Sequence, residues 1–129
     1  MSLHLDHLKT FSEVSVGGIW GEELLFVNTP LYSAKLLIIN ESYAQSSLHY
    51  HNRKDETLIV LEGEVMFELG VSGKTLRRTG GRVNIYPGLR HRFWTELGGT
   101  AIVLEIATHF DKDDIVVVEP GRFTEAEDV

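Results

Sequence analysis

Apolar residues in this chain fall in short runs broken by glycine, proline or polar turns, and no run keeps a helical period for long. Val14 to Trp20 and Glu23 to Val27 read as short strands broken around Gly21. Pro30 punctuates before Leu31 to Asn40, a strong strand candidate, and Asn40-Glu41-Ser42 turns the chain into a strand carrying His49 and His51. Glu56 to Leu61 and Val65 to Leu69 flank Glu62-Gly63-Glu64, which reads as a tight hairpin connection. Val71 to Lys74 and Thr79-Gly80-Gly81 read as turns, and Arg82 to Tyr86 as the next strand. Pro87-Gly88 leads into His91 to Thr95, and Leu97 to Thr100 turns the chain again before Ala101 to Thr108. Ile115 to Val118 is a last β-branched run, ended by Pro120-Gly121. About ten short strands at near-regular spacing predict an all-β sandwich or barrel, with any helix confined to the two ends.

The bulk numbers leave that picture standing and narrow the partners. At 129 residues, 43% hydrophobic and 24% charged, the chain is expected to be one soluble domain with a proper core. A net charge of −7, with no basic cluster, argues against nucleic-acid and anionic-membrane partners. Part of the acidic surplus lies in a terminal stretch with Glu119, Glu125, Glu127 and Asp128, read as a solvated end. There is no cysteine, so disulfides and thiolate ligands are excluded. No apolar run nears the roughly 20 residues that span a bilayer, and the first residues lack a signal-peptide pattern. A cytoplasmic protein is expected.

The candidate chemistry centres on Ser47-Leu48-His49-Tyr50-His51, followed by Glu56. Side chains on a strand repeat with a period of two, so His49 and His51 point to one face of the sheet. Strands distant in sequence face one another in a closed β-fold, so His91 can complete a set with His49, His51 and Glu56. Three neutral imidazoles and a carboxylate suit one divalent ion such as manganese, iron, nickel, cobalt or zinc. Such a set leaves positions open for water or substrate. Its affinity is expected to fall below roughly pH 6, where imidazoles of ordinary pKa become protonated. A bare H-x-H is more often two histidines on a solvated strand, and only the spacing to Glu56, Gly63, Gly80, Gly88 and His91 tips the balance. His4 and His7, at helical spacing near the terminus, are left outside the set. Lys35 sits in an apolar run, where the plain reading is a solvent-facing lysine on a half-buried strand.

These residues resemble the cupin motifs. The first, G-x5-H-x-H-x(3,4)-E-x6-G, is matched at His49, His51, Glu56 and Gly63, and the second, G-x5-P-x-G-x2-H-x3-N, at Gly80, Gly88 and His91. Tyr43, Tyr86 and Thr95 stand where the motifs have glycine, proline and asparagine. The resemblance covers about residues 31–108. It implies a single cupin domain over 1–129, a double-stranded β-helix or jelly-roll barrel, with His49, His51, Glu56 and His91 as metal ligands. Cupins commonly pair edge strands, so a homodimer is expected, and the run Ile115 to Val118 is a hazard if left exposed.

A narrower similarity is to the mannose-6-phosphate isomerases found fused to mannose-1-phosphate guanylyltransferases. It rests on Trp20-Gly21, Lys35, Ser47-Leu48-His49-Tyr50-His51, Gly88 to Arg92, Glu105-Ile106, Asp113-Asp114-Ile115-Val116 and Gly121-Arg122. His49 replaces the glutamine of that family, and Val117 replaces an arginine. His49-x-His51-x-x-Lys54-x-Glu56 also looks like the lyxose isomerase group of cupins. Both resemblances imply an aldose–ketose isomerase acting on a sugar or sugar phosphate. Lys54 and Glu105 are the candidate acids or bases, and Lys35, Arg90, Arg92 or Arg122 the candidate binders of phosphate or hydroxyl groups. Tyr86, Phe93 and Trp94 are candidate cavity walls, although aromatics at alternating positions are more often core. Two other readings remain at this point, a non-catalytic sugar-binding or sensor cupin and an iron-dependent dioxygenase.

Overall fold

The computed structural model describes residues 5–10, 12–96 and 98–124. His4, Leu97 and the acidic Glu125, Glu127 and Asp128 lie outside the described residues. A short helix, α1 (Leu5–Thr10), precedes β1 (Glu13–Gly18), β2 (Gly21–Asn28), β3 (Ser33–Ile39), β4 (Ala44–Gln45) and β5 (Leu48–Tyr50). There follow β6 (Glu56–Glu62), β7 (Glu64–Leu69), β8 (Gly73–Arg78), β9 (Arg82–Ile85), β10 (His91–Trp94), β11 (Ala101–Ala107), β12 (Val116–Glu119) and β13 (Arg122–Phe123). No helix among the described residues is long and apolar enough to cross a membrane.

The strands form a six-stranded sheet in the order β1-β2-β3-β11-β6-β9 and a five-stranded sheet in the order β12-β5-β10-β7-β8. A two-stranded ribbon, β13-β4, completes the set. Between the two large sheets lies an apolar cluster that includes Leu37, Ile39, Leu58, Val60, Phe67, Val83, Ile85, Phe93 and Val103. A second cluster, Leu24, Leu36, Ile38 and Ile102, takes in Leu5 and Leu8 of α1. Leu36 to Ile39 is an unbroken apolar run because alternate residues serve these two clusters. His7 belongs to this helix, apart from the other histidines discussed below.

Strand parity carries the inner face beyond the apolar cluster. Lys35 continues the series Leu37 and Ile39, Glu105 continues Val103, and Glu56 continues Leu58 and Val60. All three are buried. The plain reading of Lys35 as solvent-facing is therefore wrong. Its parity with Leu37 and Ile39 turns it to the inner face, while Leu36 and Ile38 take the other.

Two connections differ from the sequence pattern. Glu62-Gly63-Glu64 is no hairpin, because β6 and β7 belong to different sheets and each pairs elsewhere. Gly63, at φ 86°, passes the chain from one sheet to the other. A Cβ there would lie 2.6 Å from the Thr100 carbonyl oxygen, a clash with backbone. The polar segment that becomes β8 has no apolar alternation to announce it. It is an edge strand, paired only with β7.

Tyr43, which stands in place of a motif glycine, has φ 61°. A non-glycine residue in that region carries a strain of roughly 1–2 kcal/mol. The conformation is held by Tyr43 N–H donating to Thr95 O at 2.7 Å and by Thr124 N–H donating to Tyr43 O at 2.8 Å. The run ending at Val118 pairs with β5 along one edge, and its exposed residues stand at the margin of the five-stranded sheet.

Candidate metal centre

The register of two strands creates the centre. His91 on β10 lies directly opposite His49 on β5, so their side chains share a face. His51 follows β5 at the start of a polar bend, and Glu56 begins β6. One ring nitrogen from each of His49, His51 and His91 lies within 4.8 Å of the other two. Glu56 flanks this cluster, with Oε2 at 3.5 Å from His51 Nε2 and Oε1 at 3.8 Å from His91 Nε2.

Each imidazole is held by its other nitrogen. Nδ1–H of His49 donates to Ser47 O at 2.9 Å, that of His51 to Asp114 O at 2.6 Å and that of His91 to Leu89 O at 2.8 Å. Carbonyl partners keep the proton on Nδ1 and leave Nε2 as the lone-pair donor. Glu56 Oε2 is buried and takes no well-directed hydrogen bond, although Lys54 Nζ lies within ion-pair distance at 3.0 Å. Three free lone pairs beside an undersatisfied carboxylate oxygen are the donor set a borderline divalent cation takes. The residues fit a metal ion.

Burial, and then the nearby His91, hold the His49 imidazole down to about 3. Burial also holds His91 down to about 4, and burial together with the Lys54 charge lowers His51. Burial and the Glu105 charge push the Glu56 carboxyl up to about 7. The sequence expectation of a histidine-limited affinity therefore changes: with Glu56 as a fourth ligand, its proton would be the one that competes with a metal near neutrality. Affinity is expected to rise with pH up to about 7, with a slope of about one proton between pH 5 and 7. Titration calorimetry in two buffers of different ionisation enthalpy counts that proton. Release of two or more at pH 6 would mean that the histidines titrate as ordinary imidazoles.

The centre opens into a cavity of about 450 Å³. Along one wall runs a series of alternating charges. Lys54 Nζ lies 3.0 Å from Glu56 Oε2 and 3.2 Å from Glu105 Oε2. Lys35 Nζ lies 4.0 Å from Glu105 Oε2 and 3.3 Å from Glu23 Oε2. Burial opposes the Lys54 charge, but Glu105 and Glu56 outweigh it and keep the ammonium above the usual lysine range. Apolar residues complete the lining, Trp20, Leu37, Leu58, Phe93 and Phe110 among them. Trp20 and Phe93 meet edge to face at 5.0 Å, and Lys35 Nζ sits 4.0 Å from the Phe110 ring centre.

Several candidates from the sequence lie elsewhere. Of the three candidate wall aromatics, only Phe93 lines the cavity. Tyr86 is exposed beside a separate groove, and Trp94 is buried on the other face of β10. Arg92 also points away from the cavity. It donates to Gln45 Oε1 at 2.8 Å and to Glu119 Oε2 at 2.6 Å, as the alternation of β10 requires. Arg90 stacks over the Tyr50 ring at 5.7 Å and borders the groove of Tyr86. Arg122 is exposed and points at Gln45.

No known family profile matches the sequence, and no curated protein matches it either. Solved structures do match the fold. The capsular polysaccharide assembling protein CapF from Staphylococcus aureus is 18% identical, with a TM-score of 0.71 over 84% of this chain and 34% of CapF. The chain thus spans about a third of the length of CapF. Pac13, a nucleoside dehydratase solved from Streptomyces, is 17% identical with a TM-score of 0.70, covering 92% of both chains. A double-stranded β-helix protein from Klebsiella pneumoniae is 16% identical, with a TM-score of 0.67 over 87% of this chain and 94% of that one. The fold is the cupin double-stranded β-helix.

In this cupin barrel the residue that sequence reasoning left without a role is Asp114. Its carboxylate accepts the backbone N–H groups of Asn52, Arg53 and Lys54 at 2.8, 3.2 and 3.0 Å, and its carbonyl accepts His51 Nδ1–H. Desolvation works against the charge of this carboxyl, but the three N–H groups prevail and hold it below the ordinary aspartate range. One residue therefore shapes the bend that carries Lys54 and also aims His51. The signal was the paired Asp113-Asp114 before a β-branched run, but the sixty-odd residues between Asp114 and His51 hide the contact. Asp114→Ala keeps the main-chain carbonyl that accepts from His51 but removes the carboxylate that holds the 52–54 bend, and it is expected to weaken metal affinity about tenfold while leaving all the histidines in place. Competition with a chelator of known affinity measures it, and an unchanged affinity would remove the assignment.

Proposed function

We propose that this chain is a metal-dependent enzyme acting on a sugar, moving a proton between adjacent carbons as an aldose–ketose isomerase. The observation that carries the reading is the buried Lys54–Glu105 pair, 3.2 Å apart, lining the same cavity as the three histidines. His49, His51 and His91, with Glu56, would hold the ion. A divalent ion there supplies a Lewis acid to carbonyl and hydroxyl oxygens of an open-chain sugar.

The chain's own residues do the rest. Glu105 acts as the base, taking a proton from the carbon beside the carbonyl and returning it to the former carbonyl carbon, while the proton of the adjacent hydroxyl passes to the former carbonyl oxygen through the enediol. Lys54, kept as an ammonium by its two carboxylates, is a hydrogen-bond donor to the oxygen on which negative charge develops, and it is not the base. Phe93, Phe110 and Trp20 exclude water from the reacting face.

Two structural neighbours lend support, since a polysaccharide-assembling protein and a nucleoside dehydratase both handle molecules that contain sugars. The likeness to Pac13 over 92% of both chains favours dehydration as a second reading. It shares the proton abstraction but expels a hydroxyl group. The resemblance to mannose-6-phosphate isomerases rests on the sequence motifs. One domain over the whole chain and a homodimer paired through the exposed edge of β12 belong to the same reading, and sedimentation velocity checks the second.

The test is incubation of metal-loaded protein with aldoses and ketoses in deuterated water, followed by mass spectrometry and NMR. An isomerase gives a ketose or aldose carrying deuterium at the exchanged carbon, and a dehydratase gives a product lighter by one water. Sugar-induced thermal stabilisation without any C–H exchange would replace the enzyme reading by a binding or sensor protein. Oxygen uptake by the iron form alone would point to a dioxygenase.

A further inference from the structure

From the charges in the cavity wall we infer that the substrate is an uncharged sugar or polyol and not a sugar phosphate. The inference rests on the sugar reading above and narrows its substrate class. A phosphate dianion is recognised by cations free to turn toward it, usually arginine forks or lysines in an otherwise positive pocket. The buried cations of this cavity are Lys35 and Lys54, and each already has two carboxylate neighbours. Lys54 lies between Glu56 and Glu105, and Lys35 lies between Glu23 and Glu105 with its ammonium over the Phe110 ring.

A phosphate reaching either lysine would have to displace a buried carboxylate or lie against one, and both are costly where water is excluded. The arginines nearest in sequence to the ligand set are spent elsewhere. Arg92 is paired on the far face of β10, Arg90 borders another groove, and Arg53, exposed, is paired with Asp111 at 2.6 Å. Lys112 at the rim is the remaining cation of the lining, but it is exposed, and an exposed charge adds little affinity. The same wall suits hydroxyl groups. Carboxylates and ammonium groups alternating along the wall present acceptors and donors in turn, and Trp20 and Phe93 in the lining offer apolar contact to the C–H groups of a sugar.

The experiment compares binding of aldopentoses and aldohexoses with their terminal phosphate esters on the metal-loaded full chain, by calorimetry and thermal shift. A neutral sugar is expected to bind at least tenfold more tightly than its ester. Glu23→Gln, which releases Lys35 on its half-exposed side, is expected to narrow that gap several-fold. Lys112→Ala is expected to leave it unchanged. An ester bound as tightly as the parent sugar by the unaltered chain would overturn the inference while leaving the sugar reading intact. Failure of every sugar and every ester to bind would overturn both.

Discussion

Replacing His91 with alanine is expected to take the protein from about one divalent ion per chain to essentially none. His91 stands opposite His49 across the β5–β10 ladder, and its Nε2 faces Glu56 Oε1 at 3.8 Å. Its removal leaves two imidazoles and a carboxylate held up to about 7, so one donor is lost and another must shed a proton to bind, and the ion is expected to be stripped on desalting. The change should leave the barrel intact, because the Leu89 carbonyl released by His91 borders an open groove where water can replace the lost donor. Elemental analysis after reconstitution with manganese, iron, cobalt, nickel or zinc gives the stoichiometry, and circular dichroism verifies the fold. His51→Ala is expected to behave alike. A metal-free unaltered protein after all five reconstitutions would end the metal assignment.

Exchanging Glu105 for glutamine is expected to lower turnover about 10²–10⁴-fold, the usual contribution of a general base. Metal content should stay near that of the unaltered protein, because the ion pairs of Glu105 are with Lys54 and Lys35 and those of the histidines are with Glu56. Glutamine keeps the shape of the side chain and removes its charge, so Lys54 and Lys35 each lose one carboxylate partner. Loss of activity with metal retained marks Glu105 as chemistry and not architecture. Full activity in Glu105→Gln would transfer the role of base to another group, and Glu56 would then be the first to examine.

Much of the fold is legible in the amino-acid sequence. Apolar alternation locates β3, β6, β7, β9, β10 and β11 to within a residue or two, because burial of one face imposes a period of two on each strand. The same local rule puts His49 and His51 on one face. The glycines of the cupin motifs then tie them to Glu56 and His91. By itself, then, the sequence determined an all-β chain and the residues from which a metal centre would be drawn.

Tertiary structure decided which side chains meet. Lys35 reads as a surface lysine until β11 and β2 are paired on either side of it, with Glu105 directly across the ladder. Asp114 reads as an acidic loop residue until β12 pairs with β5 and brings it under the 52–54 bend. Trp20 and Phe110 become walls of the cavity only when the barrel closes, and Gly63 becomes a change of sheet only when β6 and β7 find their partners. Side-chain direction follows from the local pleat, and so it can be read from adjacent residues. Contact between strands depends on sheet order and register, which the whole chain settles at once. The three histidines lie near the first kind of information. The Glu23–Lys35–Glu105–Lys54–Glu56 series, on which the proposed chemistry and selectivity rest, lies entirely in the second.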